Sequence, residues 1–100
     1  MFRAVQAAGG FGAVLHKGER EGGTIVVVLA ENGGNQRLYE LMPDLEKGRI
    51  WTCSKRQDPE NPYDFIDYLD RRVARDPDLW IVELDIADGE RFILQQGFGA

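Results

Sequence analysis

The sequence predicts an α+β fold: an antiparallel sheet of five to six strands with one main helix packed on one face and a short N-terminal helix. Three observations carry this expectation. Residues 24–30 read TIVVVLA, β-branched and apolar on both faces, as a central strand covered on both sides should be. Residues 61–75 carry a helix start, an apolar stripe at helical spacing and a proline stop just beyond. Glycine-rich turn signals separate the other apolar segments at strand-like intervals.

Taken in order, Phe2 to Ala8 is helix-compatible and Gly9-Gly10 stops it. Phe11 to Lys17 reads as a strand, and Lys17 to Gly23 as a polar loop of hairpin type. After the TIVVVLA strand, Glu31 to Asn35 centres a turn on Asn32-Gly33. Gln36 to Met42 returns as a strand and Pro43, which has no N–H to donate, is expected to end it. Arg49 to Ser54 is a fourth strand, making a meander.

Asn61 is the expected N-cap of the main helix, with Pro62 at its first position and Asp64 facing the positive end of the dipole. Phe65, Ile66, Leu69 and Val73 form its apolar stripe. Pro77 forces its end. Leu79 to Ile86 is a fifth strand, with Trp80, Val82, Leu84 and Ile86 on one face. Ala87-Asp88-Gly89 is a turn, Glu90 to Gln95 a sixth strand, and Gly97 to Ala100 a frayed tail. The second side of the central strand needs a cover, either the N-terminal helix or a second copy of the chain.

The chain has 100 residues, enough for a single domain over 1–100. Its 17 acids against 12 bases give a formal net charge of −5. That balance argues against nucleic acid as a partner, since phosphate binding needs a basic surface and Arg71, Arg72 and Arg75 are the only tight basic group, and it disfavours anionic membranes. The single cysteine, Cys53, allows no internal disulfide. No apolar run approaches the length of a bilayer span, and the first residues lack the pattern of a signal peptide. A cytoplasmic location follows by default.

The segments Ala7-Ala8-Gly9-Gly10-Phe11, Arg37-Leu38-Tyr39-Glu40 and above all Asp76-Pro77-Asp78-Leu79-Trp80-Ile81-Val82-Glu83 resemble those of a family of small alphaproteobacterial proteins, the domain of unknown function 1491 family. The resemblance covers most of the chain. It implies a small cytoplasmic α+β protein with no assigned activity, and so gives no catalytic residues to carry over. Members of that family usually begin with an extra stretch, so that Met1 here falls within their first helix.

No constellation meets the needs of catalysis. His16 is the sole histidine and has no base–orienter partner in sequence; a pair with Cys53 requires their strands to meet. The glycine pairs fit turns and not phosphate loops. Asp76, Asp78, Glu83 and Asp85 form the densest acidic group, readable as a helix terminus followed by solvated strand residues, or as oxygen donors for a cation if they converge. Arg71, Arg72 and Arg75 are surface ion-pair formers or, alternatively, an anion clamp. Trp51 and Trp80 are core residues or interface anchors.

Two functional classes therefore stand. The preferred one is an interaction or regulatory domain without catalysis, using an exposed sheet edge toward a protein partner or a homodimer mate. The alternative is a small-ligand or metal-dependent site built on Arg72, Arg75, Asp76, Asp78, Trp80 and Glu83. No cofactor and no resident metal are expected. Convergence of those six side chains on one concavity is the discriminator.

Overall fold

The computed structural model describes residues 2–96; the expected frayed tail lies outside them. The elements run α1 (Phe2–Ala7), β1 (Phe11–His16), β2 (Ile25–Glu31), β3 (Gly34–Asp44), β4 (Gly48–Arg56), α2 (Tyr63–Arg75), β5 (Trp80–Asp85) and α3 (Gly89–Gln96). The strands form one sheet in the order β1-β5-β2-β3-β4.

The sheet is mixed, which corrects the antiparallel expectation. β5 inserts between β1 and β2, antiparallel to the first and parallel to the second. The cause lies in burial: β2 and β5 bury more apolar residues than any other strand, and the most covered places in a sheet are central and adjacent. The 17–24 loop is consequently a bridge over the start of β5 and not a hairpin. Glu19 N–H donates to the Asp78 carbonyl at 3.0 Å, and Trp80 N–H donates to the Thr24 carbonyl at 2.8 Å. The Trp80 indole closes the loop with Nε1–H donating to the Glu19 carbonyl at 2.7 Å.

Alternation along β2 builds two cores. Val27 and Leu29 join Val5 of α1, Val82 and Leu84 of β5, and Phe92 and Ile93 of α3. Val26 and Val28 join Leu38, Leu79, Ile81 and Phe65 of α2, with Leu69 and Val73 packed beside them. The second side of the central strand is thus covered from within the chain, by α1 and α3.

The expected sixth strand is α3, a second correction. Gly89, Phe92 and Ile93 are buried while Arg91, Leu94 and Gln95 are exposed, a spacing of three and four that only a helix supplies. Pro43 does not end β3, which continues to Asp44. The pairing of β3 with β2 reaches only Tyr39, whereas Pro43 still sits opposite Arg49 of β4, so its missing N–H breaks no ladder on the side where β2 has ended. The N-cap of α2 is Pro62, with no side-chain cap; Asn61 contributes only its carbonyl, which accepts the Asp64 N–H at 3.2 Å.

Two turns follow their sequence signals. Gly9, at φ +86°, closes α1: Gly10 N–H donates to the Val5 carbonyl at 2.8 Å and Gly9 N–H to that of Gln6 at 3.0 Å, the paired bonds of a glycine C-terminal motif. Asn32 and Gly33, at φ 51° and 78°, make the two-residue β2–β3 turn.

Candidate functional site

One helix cannot cover one face of a five-stranded sheet, and α2 leans to one side of it. Two ion pairs hold it there. Arg72 makes a two-pronged contact with Glu40 of β3, Nη1 to Oε2 at 2.9 Å and Nη2 to Oε1 at 2.7 Å, and Ser54 Oγ–H donates to the same carboxylate. The Arg72 hydrogen bonds hold the Glu40 carboxyl below its usual range, against the effect of burial. Asp64 takes Lys55 of β4 at 2.7 Å, which keeps its carboxyl below the usual value.

The opposite side, over β5 and β1, stays open as a cleft of about 390 Å³. Ile66, Leu69 and Val73 of α2 form one wall; Ile81 and Leu15 form the other. His16, Gln36, Asp70 and Glu83 are its polar groups. Successive strand residues normally face opposite ways, yet Leu15 and His16 both line the cleft. A bulge explains this: Val14 pairs with Val82 and His16 with Ile81, leaving Leu15 as the extra residue. The His16 ring is fixed by Nδ1–H donating to the Leu79 carbonyl at 2.7 Å, so Nε2 carries the lone pair in the neutral ring.

Glu83 stands out. It is half-buried and its carboxylate takes no hydrogen bond or ion pair from any described residue. Burial, and secondarily the charge of Asp85, push its pKa up. Asp85 itself is occupied: its two oxygens accept from Asn32 N–H at 2.8 Å and Gly33 N–H at 2.7 Å, capping the β2–β3 turn.

The six residues expected to form a site do not converge. Arg72 is bound to Glu40. Arg75 lines a separate shallow concavity with Tyr68 and Arg71. Asp76 terminates α2, its N–H donating to Arg72 O at 2.9 Å, and its Oδ1 lies 3.3 Å from Asp78 N–H. Asp78 is exposed and uses its carbonyl toward Glu19. Trp80 is half-buried and closes the loop above. Only Glu83 faces the cleft. Among the described residues no group of three His, Cys, Asp or Glu side chains is placed to hold a metal. His16 and Cys53 lie on the two outer strands, a sheet width apart.

The outer strands differ in chemistry. β4 carries Arg49, Lys55 and Arg56, and a bulge at Ser54 breaks its register. β1 reads FGAVLH, without Lys, Arg, Asp, Glu or Pro, and exposes Phe11 (62%), Val14 (46%) and Leu15 (47%). Charges, prolines and bulges are what blunt a sheet edge; β1 has only its bulge, after Val14.

Sequence reasoning missed two features. Arg37 is 2% exposed, the one buried charged residue among those described. Its Nε and Nη2 donate to Glu90 of α3 at 2.8 and 3.0 Å, and Tyr39 O–H donates to the same carboxylate at 3.0 Å. Burial opposes the Glu90 charge, but these donors prevail and its pKa is lowered. No local signal marks that pair, because its members are 53 residues apart. The cleft was missed because it exists only once β5 lies beside β1; the apolar Leu15 followed by His16 was its one visible trace.

Among curated proteins the chain has no match. It is similar to a crystal structure of a DUF1491 family protein from Caulobacter crescentus CB15, with 29% identity, a TM-score of 0.73, and 91% of this chain covering 84% of that one. The NMR structure of a DUF1491 family protein from that organism gives 29% identity and a TM-score of 0.69 over 91% of this chain and 82% of that one. A solution structure of a protein from A. tumefaciens gives 29% and 0.66 over 87% and 79%. The family model described as protein of unknown function (DUF1491) matches residues 1–94. The chain belongs to the DUF1491 family of proteins of unknown function.

Proposed function

We propose that this chain is a small bacterial interaction domain without catalysis, and that it takes up an extended segment of a partner protein along the free edge of β1. The observation that carries this reading is the uncharged, proline-free β1 edge, with Phe11, Val14 and Leu15 exposed. A strand added there gains main-chain hydrogen bonds along Phe11 to Val14 and side-chain contact with the apolar residues beside it. The cleft lies alongside the same strand, so one docked segment meets both. The net charge of −5 supports a protein partner over nucleic acid, and we place the domain in the cytoplasm. No helix among the described residues is long and apolar enough to cross a membrane.

Short random peptides displayed on phage, selected on the chain, test this. The expected result is a set of extended, β-branched segments whose binding Val14→Lys weakens while an added charge on β4 at Thr52 does not. Selection of segments indifferent to Val14→Lys would overturn the β1 assignment. A concentration-dependent dimer broken by Val14→Lys, with no peptide selected, would replace the partner segment by a second copy of the chain.

A further inference from the structure

We infer that the cleft between α2 and the β1–β5 half of the sheet is a pocket for a lysine side chain of the docked segment. This rests on the edge-pairing reading above and names the partner's chemistry. The walls are apolar: Leu15 and Ile81 on the sheet side, Ile66, Leu69 and Val73 on the helix side. A volume of about 390 Å³ admits one long side chain with room for water. The polar groups divide between the walls, with Glu83 on the sheet and Asp70 on the helix. Neither carboxylate has a hydrogen-bonding or ion-pairing partner among the described residues.

An unpaired carboxylate half-buried among aliphatic side chains is a standing cost to the folded state. Two half-buried carboxylates near α2 show how the chain avoids it elsewhere: Glu40 is paired with Arg72 and Asp64 with Lys55. Glu83 has no such cation among the described residues. A cation brought from outside removes the cost, which makes the pocket selective for charge as well as shape. Burial has already pushed the Glu83 pKa up, and a bound ammonium reverses that shift.

Lysine fits better than arginine on two grounds. Its four-carbon stem matches aliphatic walls on both sides. Its compact head turns three donors toward acceptors on opposite walls, whereas a guanidinium fork is matched to one carboxylate in one plane. The His16 ring, whose Nδ1 is committed to the Leu79 carbonyl, turns its other nitrogen to the same cleft. A second copy of the chain offers no lysine or arginine within β1 itself, so self-pairing in the Phe11–Leu15 stretch leaves Glu83 without a cation.

The phage-selected segments supply the test. Lysine should be enriched at one position. Synthetic peptides of the selected sequence, with that lysine replaced by norleucine, should bind about tenfold more weakly to the wild-type chain. Glu83→Gln should remove that difference while still binding the norleucine peptide as the wild type does. Asp70→Asn, on the exposed helix wall, should narrow it. Because Glu83→Gln removes a half-buried charge and not a packing contact, a cooperative thermal transition at or above the wild-type midpoint verifies that the variant is folded. Segments that dock at β1 with no basic preference, or lysine and norleucine peptides of equal affinity, would overturn the pocket and leave edge pairing intact. Failure to select any segment that depends on Val14 would bring down the edge reading, and the lysine pocket with it.

Discussion

The two halves of the sheet treat charge in opposite ways. Over β3 and β4, three cations meet four acids: Arg37 with Glu90 and Glu31, Arg72 with Glu40, Lys55 with Asp64. These pairs fasten α3 on one face and α2 on the other to the same half of the sheet. Among the described residues there is no counterpart over β1 and β5. The outer strand has no Lys, Arg, Asp or Glu, and Glu83 sits half-buried without a cation among the described residues. The difference teaches where the molecule is finished and where it is not: one half satisfies its own groups, and the other leaves a backbone edge and a carboxylate for something else to satisfy.

The contrast is sharpened most by breaking the closed half. Arg37→Met takes two donors from the Glu90 carboxylate and leaves it the Tyr39 hydroxyl, and should cost about 2–3 kcal/mol of stability, read as a lower urea midpoint with an unchanged m-value. Next comes the open half. Val14→Lys should weaken a docked segment by about tenfold or more, about 1.4 kcal/mol, while changing unfolding by no more than about 0.5 kcal/mol. A large loss of stability from Val14→Lys would mean that β1 is a structural strand first and a docking edge second.

A smaller effect attaches to α2. Arg72→Ala should cost about 1 kcal/mol, since the pair is partly solvated. Its pH dependence has a fixed sign: the Glu40 carboxyl is held below its ordinary value, so the contribution is present at neutral pH and lost as pH falls through the lowered pKa. Wild type and variant should therefore converge in acid. The smallest effect runs the other way. The Glu83 pKa is raised, so its penalty is absent below the ordinary carboxylate range and appears as pH climbs through the raised value. Glu83→Gln should melt slightly higher than wild type at neutral pH and equal to it in acid, as thermal unfolding at the two pH values would show.

Much of the local structure was legible. Gly9 after the first helix, Asn32-Gly33 between strands, and Phe65, Leu69 and Val73 of the α2 stripe each lie where their signal placed them, whereas Ile66 of that stripe is exposed at the cleft mouth and not buried. The failures were non-local. Reading Lys17–Gly23 as a hairpin assumes that sequence neighbours pair, and the parallel β2–β5 contact arises from apolar strands 55 residues apart seeking the same buried position. The segment Glu90–Gln95 holds a short apolar run, Phe92-Ile93-Leu94, of strand length, and only the need to bury Phe92 and Ile93 together against Leu29 makes it a helix. The site fared likewise. Glu83 was named for its acidic neighbours, yet it matters because it is separated from them: Asp85 is spent on a turn, and Asp76 on a helix end.

The most direct test of the open edge is a map of backbone amide shifts and exchange rates in the isotope-labelled chain as a phage-selected peptide is added. The account predicts that shifts and slowed exchange gather along Phe11–Val14 and the cleft residues Leu15, His16 and Glu83, with Arg49–Arg56 unchanged. Perturbation centred on β4, with β1 amides exchanging as before, would contradict it.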